Sequence, residues 1–196
     1  MLVLASASSA RASLLRNAGV AFEVAPAKVD EGEVKIALRA EGVSARDQAD
    51  ALAEMKALQV SRRIDGVLTL GADQILEYEG VAFDKPNDRA EAREQLLQLR
   101  GGRHDLWSAA VIAENGSPVW RKIGRVRLWM RTFSEAFLDD YLDQVGDEVL
   151  NSVGAYHLEG RGAQLFSRIE GDYFTVLGLP LLDTLDYLRT RKVLSE

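Results

Sequence analysis

An aspartate and a lysine that follow an apolar segment are the residues of this chain best placed for chemistry. Residues 67–72 are apolar or small and predict a buried strand, Asp73 stands at its end, and Lys85 follows after a short turn. Aspartate is disfavoured inside strands, and a buried carboxylate is costly unless it is paired with a cation or coordinates a metal. Lys85 is a candidate for the pairing cation, and the two residues indicate a site that handles a metal ion and phosphate. The alternative is a strand end that has merely reached the surface.

A second polar cluster follows the short apolar strand at residues 2–4. Ser6, Ser8 and Ser9 precede Arg11, and leucines at helical spacing come next. The free amide groups at a helix start attract anions, and the planar guanidinium of arginine suits phosphate oxygens. The cluster therefore predicts a phosphate-binding turn. A simple capped helix with an exposed arginine is the alternative.

Helices and strands must hold these residues in place, and the hydrophobic spacing predicts where they lie. A long helix over residues 44–64 begins with a capping signal, Ser44 followed by Asp47, and carries Lys56. The dipeptide Asn115-Gly116 predicts a tight hairpin turn. The other predictions are strands at 2–4, 21–25, 104–113, 119–133 and 165–169, helices at 88–99, 134–145 and 181–194, and a loop or short helix at 31–43.

Composition bounds the class of protein. A length of 196 residues suits a single domain over 1–196, and two lobes divided near residues 64–66 are an alternative. The net charge of −6 argues against binding of polymeric nucleic acid, which requires basic surfaces. The absence of cysteine excludes disulfides and thiol chemistry and suits a cytoplasmic protein. No apolar stretch approaches the length of a membrane span, so no membrane partner is expected.

Together with several later motifs in the same order, these residues resemble the Maf family of nucleotide pyrophosphatases. The matching segments are 4–15, 29–31, 56–57, 71–73, 85–86, 99–108, 154–160 and 171–180. Each segment is short, but their order makes the match specific. The similarity extends over essentially the whole chain.

The resemblance implies both a fold and an activity. The expected fold is α/β, with a mixed, elongated sheet flanked by helices, similar to Maf proteins and inosine triphosphatases, and with a cleft if two lobes are present. The expected activity is hydrolysis of the α–β phosphoanhydride bond of a nucleoside triphosphate to a monophosphate and pyrophosphate. This reaction would serve housekeeping of the nucleotide pool. A homodimer is also implied.

The resemblance also implies which residues act. Four positions of the family pattern are kept and are expected to be catalytic: Glu31, Lys56, Asp73 and Lys85. Asp73 and Glu31 are expected to hold Mg²⁺ or Mn²⁺, since carboxylate oxygens suit such cations. Substrate-binding roles fall to Ser6, Ser8, Arg11, Gln74 and Glu159. His104 is interpreted as a residue that fixes a turn rather than as a general base.

Several departures from the family pattern bear on the substrate. Ala10 replaces one of two arginines, Ser152 replaces a lysine, and Glu159 replaces a glutamine. Gln74 replaces a threonine, and it contacts either a phosphate, a base or only its packing neighbours. Two positive charges are lost and one negative charge is gained, so weaker phosphate binding or an altered substrate choice is expected. Two further functions stay open: a pyrophosphatase specialised for modified nucleotides, and a non-catalytic nucleotide-binding regulator of cell division.

Overall fold

A computed structural model describes residues 1–195 of the chain. The strands are β1 (Leu2–Leu4), β2 (Phe22–Val24), β3 (Leu68–Tyr78), β4 (Val81–Phe83), β5 (Arg103–Glu114), β6 (Ser117–Met130) and β7 (Phe166–Glu170). The helices are α1 (Ser9–Asn17), α2 (Glu31–Ala40), α3 (Ala45–Ser61), α4 (Arg89–Leu99), α5 (Glu135–Val145), α6 (Tyr173–Val176) and α7 (Leu181–Thr190), with 3₁₀ helices at Gly146–Asn151 and Arg161–Leu165. Among the described residues, no helix is long and apolar enough to cross a membrane.

The strands form one seven-stranded sheet in the order β2-β1-β3-β5-β6-β7, with β4 paired to β3. β1 is parallel to both β2 and β3, whereas β3–β4 and β6–β7 are antiparallel pairs. The parallel pairs occur where helices connect successive strands, because a parallel connection needs a long crossover. The expectation of an α/β fold with a mixed sheet is confirmed.

The chain divides into two compact units. The first contains Met1–Gln74, Trp107–Gly124 and the segment from Asp172 onward, and the second contains Ile75–Leu106 and Arg125–Gly171. Strands β3, β5 and β6 each contribute residues to both units. Residues 64–66, where the sequence suggested a lobe division, lie within the first unit.

In the first unit, alternation along the strands decides which residues meet which helices. Alternate residues of β1 and β3, such as Leu4 and Leu70, share a buried cluster with leucines of α1 and α7. The residues between them, such as Val3, point to the opposite face and pack with Val60 of α3. Successive strand side chains point to opposite faces of a sheet, so β3 presents one side to α3 and the other to the α1 and α7 side. This alternation places the functional residues described below.

Several predicted elements are confirmed. The long helix is α3, and its N-terminal Ser44 accepts a hydrogen bond from the Asp47 amide as the capping signal predicted. The predicted hairpin joins β5 and β6 at Asn115 and Gly116, whose φ angles of 51° and 73° are those of a type I′ turn. Residues 31–43, interpreted as a loop or short helix, contain the ten-residue helix α2.

Four element ends were predicted wrongly by three or more residues. The helix predicted over 44–64 ends at Ser61, and the strand predicted over 119–133 ends at Met130. The strand that was expected to end at Asp73 continues to Tyr78, because Ile75 and Leu76 are buried and extend the apolar pattern beyond the charge.

The final helix ends at Thr190 rather than at residue 194. The final helix stops although Val193 and Leu194 still pack against the core, because Lys192 has a φ angle of 56°, at which a right-handed helix cannot continue.

The second unit contains a buried histidine and tyrosine pair. His104 Nε2 lies 2.8 Å from Tyr156 Oη, and the Phe166 ring packs against both rings. Burial lowers the pKa of His104 to about 4, so the imidazole is neutral at pH 7. A neutral, buried imidazole joined to a tyrosine agrees with the interpretation of His104 as a structural residue.

Candidate active site

A glycine brings the strand that carries Asp73 directly against helix α3. A Cβ atom at Gly71 would overlap the carbonyl oxygen of Ala53 and lie 2.6 Å from the amide nitrogen of Ala57. Only a residue without a side chain permits such an approach between a strand and a helix backbone. Asp73 lies two residues further along and therefore points to the same face of β3, toward α3.

Lys56 meets Asp73 at this contact. It lies on α3 between Ala53 and Ala57, the two residues that Gly71 approaches, and its Nζ is 2.6 Å from Asp73 Oδ1. Both side chains are buried, with 8% and 6% of their surfaces exposed. Asp73 is therefore the buried carboxylate that the sequence indicated, and the cation that compensates its charge is Lys56 on α3.

Glu31 completes a three-residue charge cluster around the Lys56 ammonium. Its Oε1 lies 2.8 Å from Lys56 Nζ, and 43% of its side chain is exposed. Glu31 is the first residue of α2, whose N-terminus is capped by the Asp30 side chain. Burial alone would raise the pKa of Glu31, but the charge and hydrogen bond of Lys56 outweigh burial and hold that pKa below its usual value of 4.5. Glu31 is therefore ionised at neutral pH.

One oxygen of Asp73 has no hydrogen-bond partner among the described residues. Oδ2 is fully buried, while Oδ1 accepts from Lys56. Buried polar atoms in native proteins are nearly always satisfied, and exceptions commonly mark a binding or catalytic role. The unused oxygen therefore makes Asp73 the candidate of this cluster for contact with a ligand or an attacking water.

Arg11 and Ser6 form a second set of contacts next to Asp73, in which the Arg11 guanidinium is bonded to neutral oxygen acceptors. Arg11 is buried, and it donates from Nη1 to the carbonyl of Ala72 at 2.9 Å and to Ser6 Oγ at 3.2 Å. Its Nε donates to the carbonyl of Gly178 at 2.8 Å. Burial lowers the pKa of Arg11, whereas the charges of Asp73 and Glu31 raise it. The alternative of an exposed arginine is excluded.

Ser8 has the structural role that a capped helix requires. Its side chain accepts a hydrogen bond from the Arg11 amide at the start of α1. Ser6 Oγ accepts from the Ser8 amide as well as from the Arg11 guanidinium. The serine cluster thus organises the turn around Arg11.

Gln74 points away from the charge cluster, as its position next to Asp73 in a strand requires. Its Nε2 lies 2.8 Å from Ser108 Oγ, 3.1 Å from the carbonyl of Thr175 and 3.0 Å from that of Val176. The geometry therefore favours the packing alternative stated for Gln74. The roles of Ser108 and the residues 175–178 were missed by sequence reasoning, although both segments belong to family motifs.

Two other predicted site residues belong to the second unit. Lys85 is exposed in the loop between β4 and α4 and precedes the buried Pro86. Glu159 is exposed, and its carboxylate lies 3.8 Å from His157 Nδ1. The structure gathers Ser6, Ser8, Arg11, Glu31, Lys56, Asp73 and Gln74 within the first unit. The roles of Lys85 and Glu159 stay predictions from the resemblance.

An ammonium between two carboxylates, one of which keeps an unused oxygen, supplies groups that suit binding of a phosphate oxygen and orientation of a water. Comparison with known proteins supports a site of this kind and narrows the class of protein. A family model described as "Maf-like protein" matches residues 1–191, and the chain belongs to this family.

Curated relatives cover almost the full chain. A protein of Jannaschia sp. named "Nucleoside triphosphate pyrophosphatase 1" is 56% identical over 194 residues, which are 99% of this chain and 98% of the relative. Proteins named "Nucleoside triphosphate pyrophosphatase" from Roseobacter denitrificans and Caulobacter vibrioides are 54% and 53% identical. These matches cover 97% and 98% of this chain and 96% of each relative.

Proposed function

We propose that this chain is a nucleoside triphosphate pyrophosphatase that hydrolyses the α–β phosphoanhydride bond and releases a nucleoside monophosphate and pyrophosphate. One observation carries the proposal: the buried Lys56 ammonium lies between Glu31 and Asp73, and Asp73 keeps one oxygen without a protein partner. Relatives with this name match at 53–56% identity over nearly the whole chain. The reaction serves nucleotide-pool housekeeping in this proposal.

Lys56 and Arg11 supply the positive charge that a triphosphate needs. An ammonium has three donors, and Glu31 and Asp73 use two of those of Lys56, so the third remains for a phosphate oxygen. The hydrogen bonds of Arg11 use Nε and Nη1, which makes Nη2 its nitrogen for the substrate. Fixed cations stabilise the charge that develops on the leaving pyrophosphate. The resemblance implies that Lys85 adds a further positive charge and that Glu159 binds another part of the substrate.

Asp73 acts on the water in this proposal. Oδ2 is positioned without a competing donor, so it accepts a hydrogen bond from the attacking water and orients its oxygen toward the α-phosphorus. The new bond joins the water oxygen to the α-phosphorus, and the bond from that phosphorus to the bridging oxygen breaks. Pyrophosphate leaves with the electron pair of the broken bond, and the proton lost by the attacking water passes through Asp73 Oδ2 to the solvent.

The residues present also fit a divalent cation. No group of three or more histidine, cysteine or acidic residues suited to a metal occurs among the described residues. Mg²⁺ is, however, commonly held by one or two carboxylates together with substrate phosphates. Asp73 and Glu31 are two carboxylates that both contact the Lys56 ammonium, and Asp73 Oδ2 has no hydrogen-bond partner among the described residues. Mg²⁺ or Mn²⁺ would there neutralise phosphate charge and lower the pKa of a bound water.

The products distinguish this function from its alternatives. Common and modified nucleoside triphosphates are incubated with the purified protein in the presence of Mg²⁺, Mn²⁺ or EDTA, and the products are identified by ³¹P NMR. Monophosphate and pyrophosphate support the proposal. A diphosphate and orthophosphate product would contradict the cleavage position. Tight nucleotide binding with no product across the panel would contradict catalysis and favour a non-catalytic regulator.

A further inference from the structure

The segment Asp172–Gly178 lies far from Asp73 in sequence, yet it is bonded to the strand on both sides of that residue. On one side, Arg11 joins the carbonyl of Ala72 to the carbonyl of Gly178. On the other side, Gln74 donates to the carbonyls of Thr175 and Val176. Asp73 is the residue between these two attachment points. None of the chemistry proposed above uses this segment.

The segment itself is built to receive these bonds. Asp172 caps α6 by accepting from both the amide and the hydroxyl of Thr175, which holds the short helix in one conformation. Thr175 is buried, and Ser108 Oγ donates to its carbonyl at 2.8 Å. A Cβ atom at Gly124 would lie within 2.8 Å of the Thr175 side chain, so β6 also approaches closely. The receiving carbonyls are therefore fixed.

Gln74 is the central member of this arrangement. Its amide nitrogen reaches three acceptors, which are Ser108 Oγ and two main-chain carbonyls. Ser108 is in turn bonded to the same Thr175 carbonyl, so the glutamine, the serine and the segment form one connected network. Connected hydrogen-bond networks of this kind rigidify the elements that they join.

We infer that Gln74 and Ser108 are positioning residues, which fix Asp73 against Lys56 by holding β3 to the Asp172–Gly178 segment. The inference rests on the proposed function for its catalytic consequence. It assigns Gln74 no contact with the substrate, because its amide is directed to the opposite face of β3 from the charge cluster. Asp73 must keep a fixed orientation since displacements of about 1 Å in a catalytic group cost on the order of 100-fold in rate.

The test replaces Gln74 by methionine, which has a similar length and cannot donate. The matched control is Gln48→Met, because Gln48 is a buried glutamine that donates to a single carbonyl, that of Val43 near the start of α3, whereas Gln74 is half-buried. Kinetics of pyrophosphate release, urea unfolding and hydrogen–deuterium exchange are measured for both variants. For Gln74→Met we expect a kcat about tenfold or more below wild type, with KM changed less than about twofold.

Two results would overturn the inference. A raised KM at wild-type kcat would show that Gln74 contacts the substrate, and wild-type values of both constants would show that its bonds serve stability alone. Gln48→Met is expected to lower stability without lowering kcat.

Hydrogen exchange separates this inference from the proposed function, because it needs no turnover. Gln74→Met should accelerate exchange both in peptides covering residues 172–178 and in those covering β3, whereas Gln48→Met should leave these peptides unchanged. Unchanged exchange in the Gln74 variant would contradict the coupling even if the enzyme were active. A double-mutant cycle with Ser108→Ala completes the test: non-additive losses in kcat are expected, and additive losses would show that the two residues act independently.

Discussion

Replacing Lys56 by methionine tests the energetic role of the charge cluster. Methionine keeps an apolar stem of similar length and removes the ammonium, so Asp73 loses its bond at Oδ1 while Oδ2 already has none. Breaking a buried ion pair by removing one partner typically costs about 3–5 kcal/mol, because the remaining charge stays buried. Glu31 is 43% exposed and is solvated once the lysine is gone, so its contribution is at most about 1 kcal/mol. We therefore expect the free energy of unfolding to fall by about 3–5 kcal/mol at pH 7.

The assay is urea unfolding followed by tryptophan fluorescence and far-UV circular dichroism, with the slope against urea checked for constancy. Lys122→Met is the matched control, because Lys122 lies 2.6 Å from Asp183 but both side chains are about half exposed, at 45% and 44%. This exposed pair should contribute about 1 kcal/mol or less. The reasoning is refuted if the two variants lose the same stability.

A second variant tests the origin of the loss. Asp73→Asn in the Lys56→Met background removes the stranded charge, so the double variant should recover at least about 1 kcal/mol relative to Lys56→Met. A further loss of stability would mean that Lys56 contributes through packing rather than by compensating the carboxylate.

Three other predictions concern Glu31, His104 and Gly71. Lys56 holds the pKa of Glu31 below 4.5, so wild type should be more stable than Glu31→Gln above that pH and lose the advantage as pH falls below it. Urea unfolding of both proteins at pH 7 and at about pH 3.5 measures this difference in stability. The same difference at both pH values would refute the prediction. Burial lowers the pKa of His104 from 6.5 to about 4, so the unfolded chain binds more protons in that range. The free energy of unfolding of wild type should therefore fall by ~3 kcal/mol relative to that of His104→Gln as pH falls from 6.5 to 4. A stability difference that stays constant over this pH range in urea unfolding would contradict the prediction. Gly71→Ala should lower the free energy of unfolding by about 1–3 kcal/mol and reduce turnover. Gly32→Ala is the control and should do neither, because a Cβ atom there meets nothing closer than 3.5 Å. Thermal unfolding and pyrophosphate release compare the two variants.

Local sequence signals predicted the elements that depend on local chemistry. Ser44 and Asp47 form a cap, and Asn115-Gly116 forms a hairpin turn, because both need only neighbouring residues and permitted backbone angles. Asp73 was identified as a functional residue for a sound reason, since a charge in an apolar strand requires compensation. The source of that compensation was not visible, because Lys56 reaches it only through the close approach at Gly71.

Long-range contacts account for the rest. Arg11 was expected to face phosphate, but two of its nitrogens bind main-chain carbonyls at Ala72 and Gly178. No local pattern around Arg11 indicates a partner at Gly178. Similarly, Gln74 was predicted to contact a phosphate, a base or only its packing neighbours, and alternation along the strand turns it to the opposite face from Asp73, where it bonds to main-chain carbonyls. The period-two alternation of a strand is therefore the sequence signal that separates the two residues.

The most direct test of the central claim compares pyrophosphate release by wild type and by Asp73→Asn across a panel of nucleoside triphosphates. Asparagine keeps the shape of aspartate and removes its charge, and Asp183→Asn provides an exposed control. The account predicts metal-stimulated release by wild type and by the control, and a loss of at least about 1,000-fold in the Asp73 variant with its circular dichroism spectrum unchanged. Release by a folded Asp73→Asn variant at the wild-type rate would contradict the account.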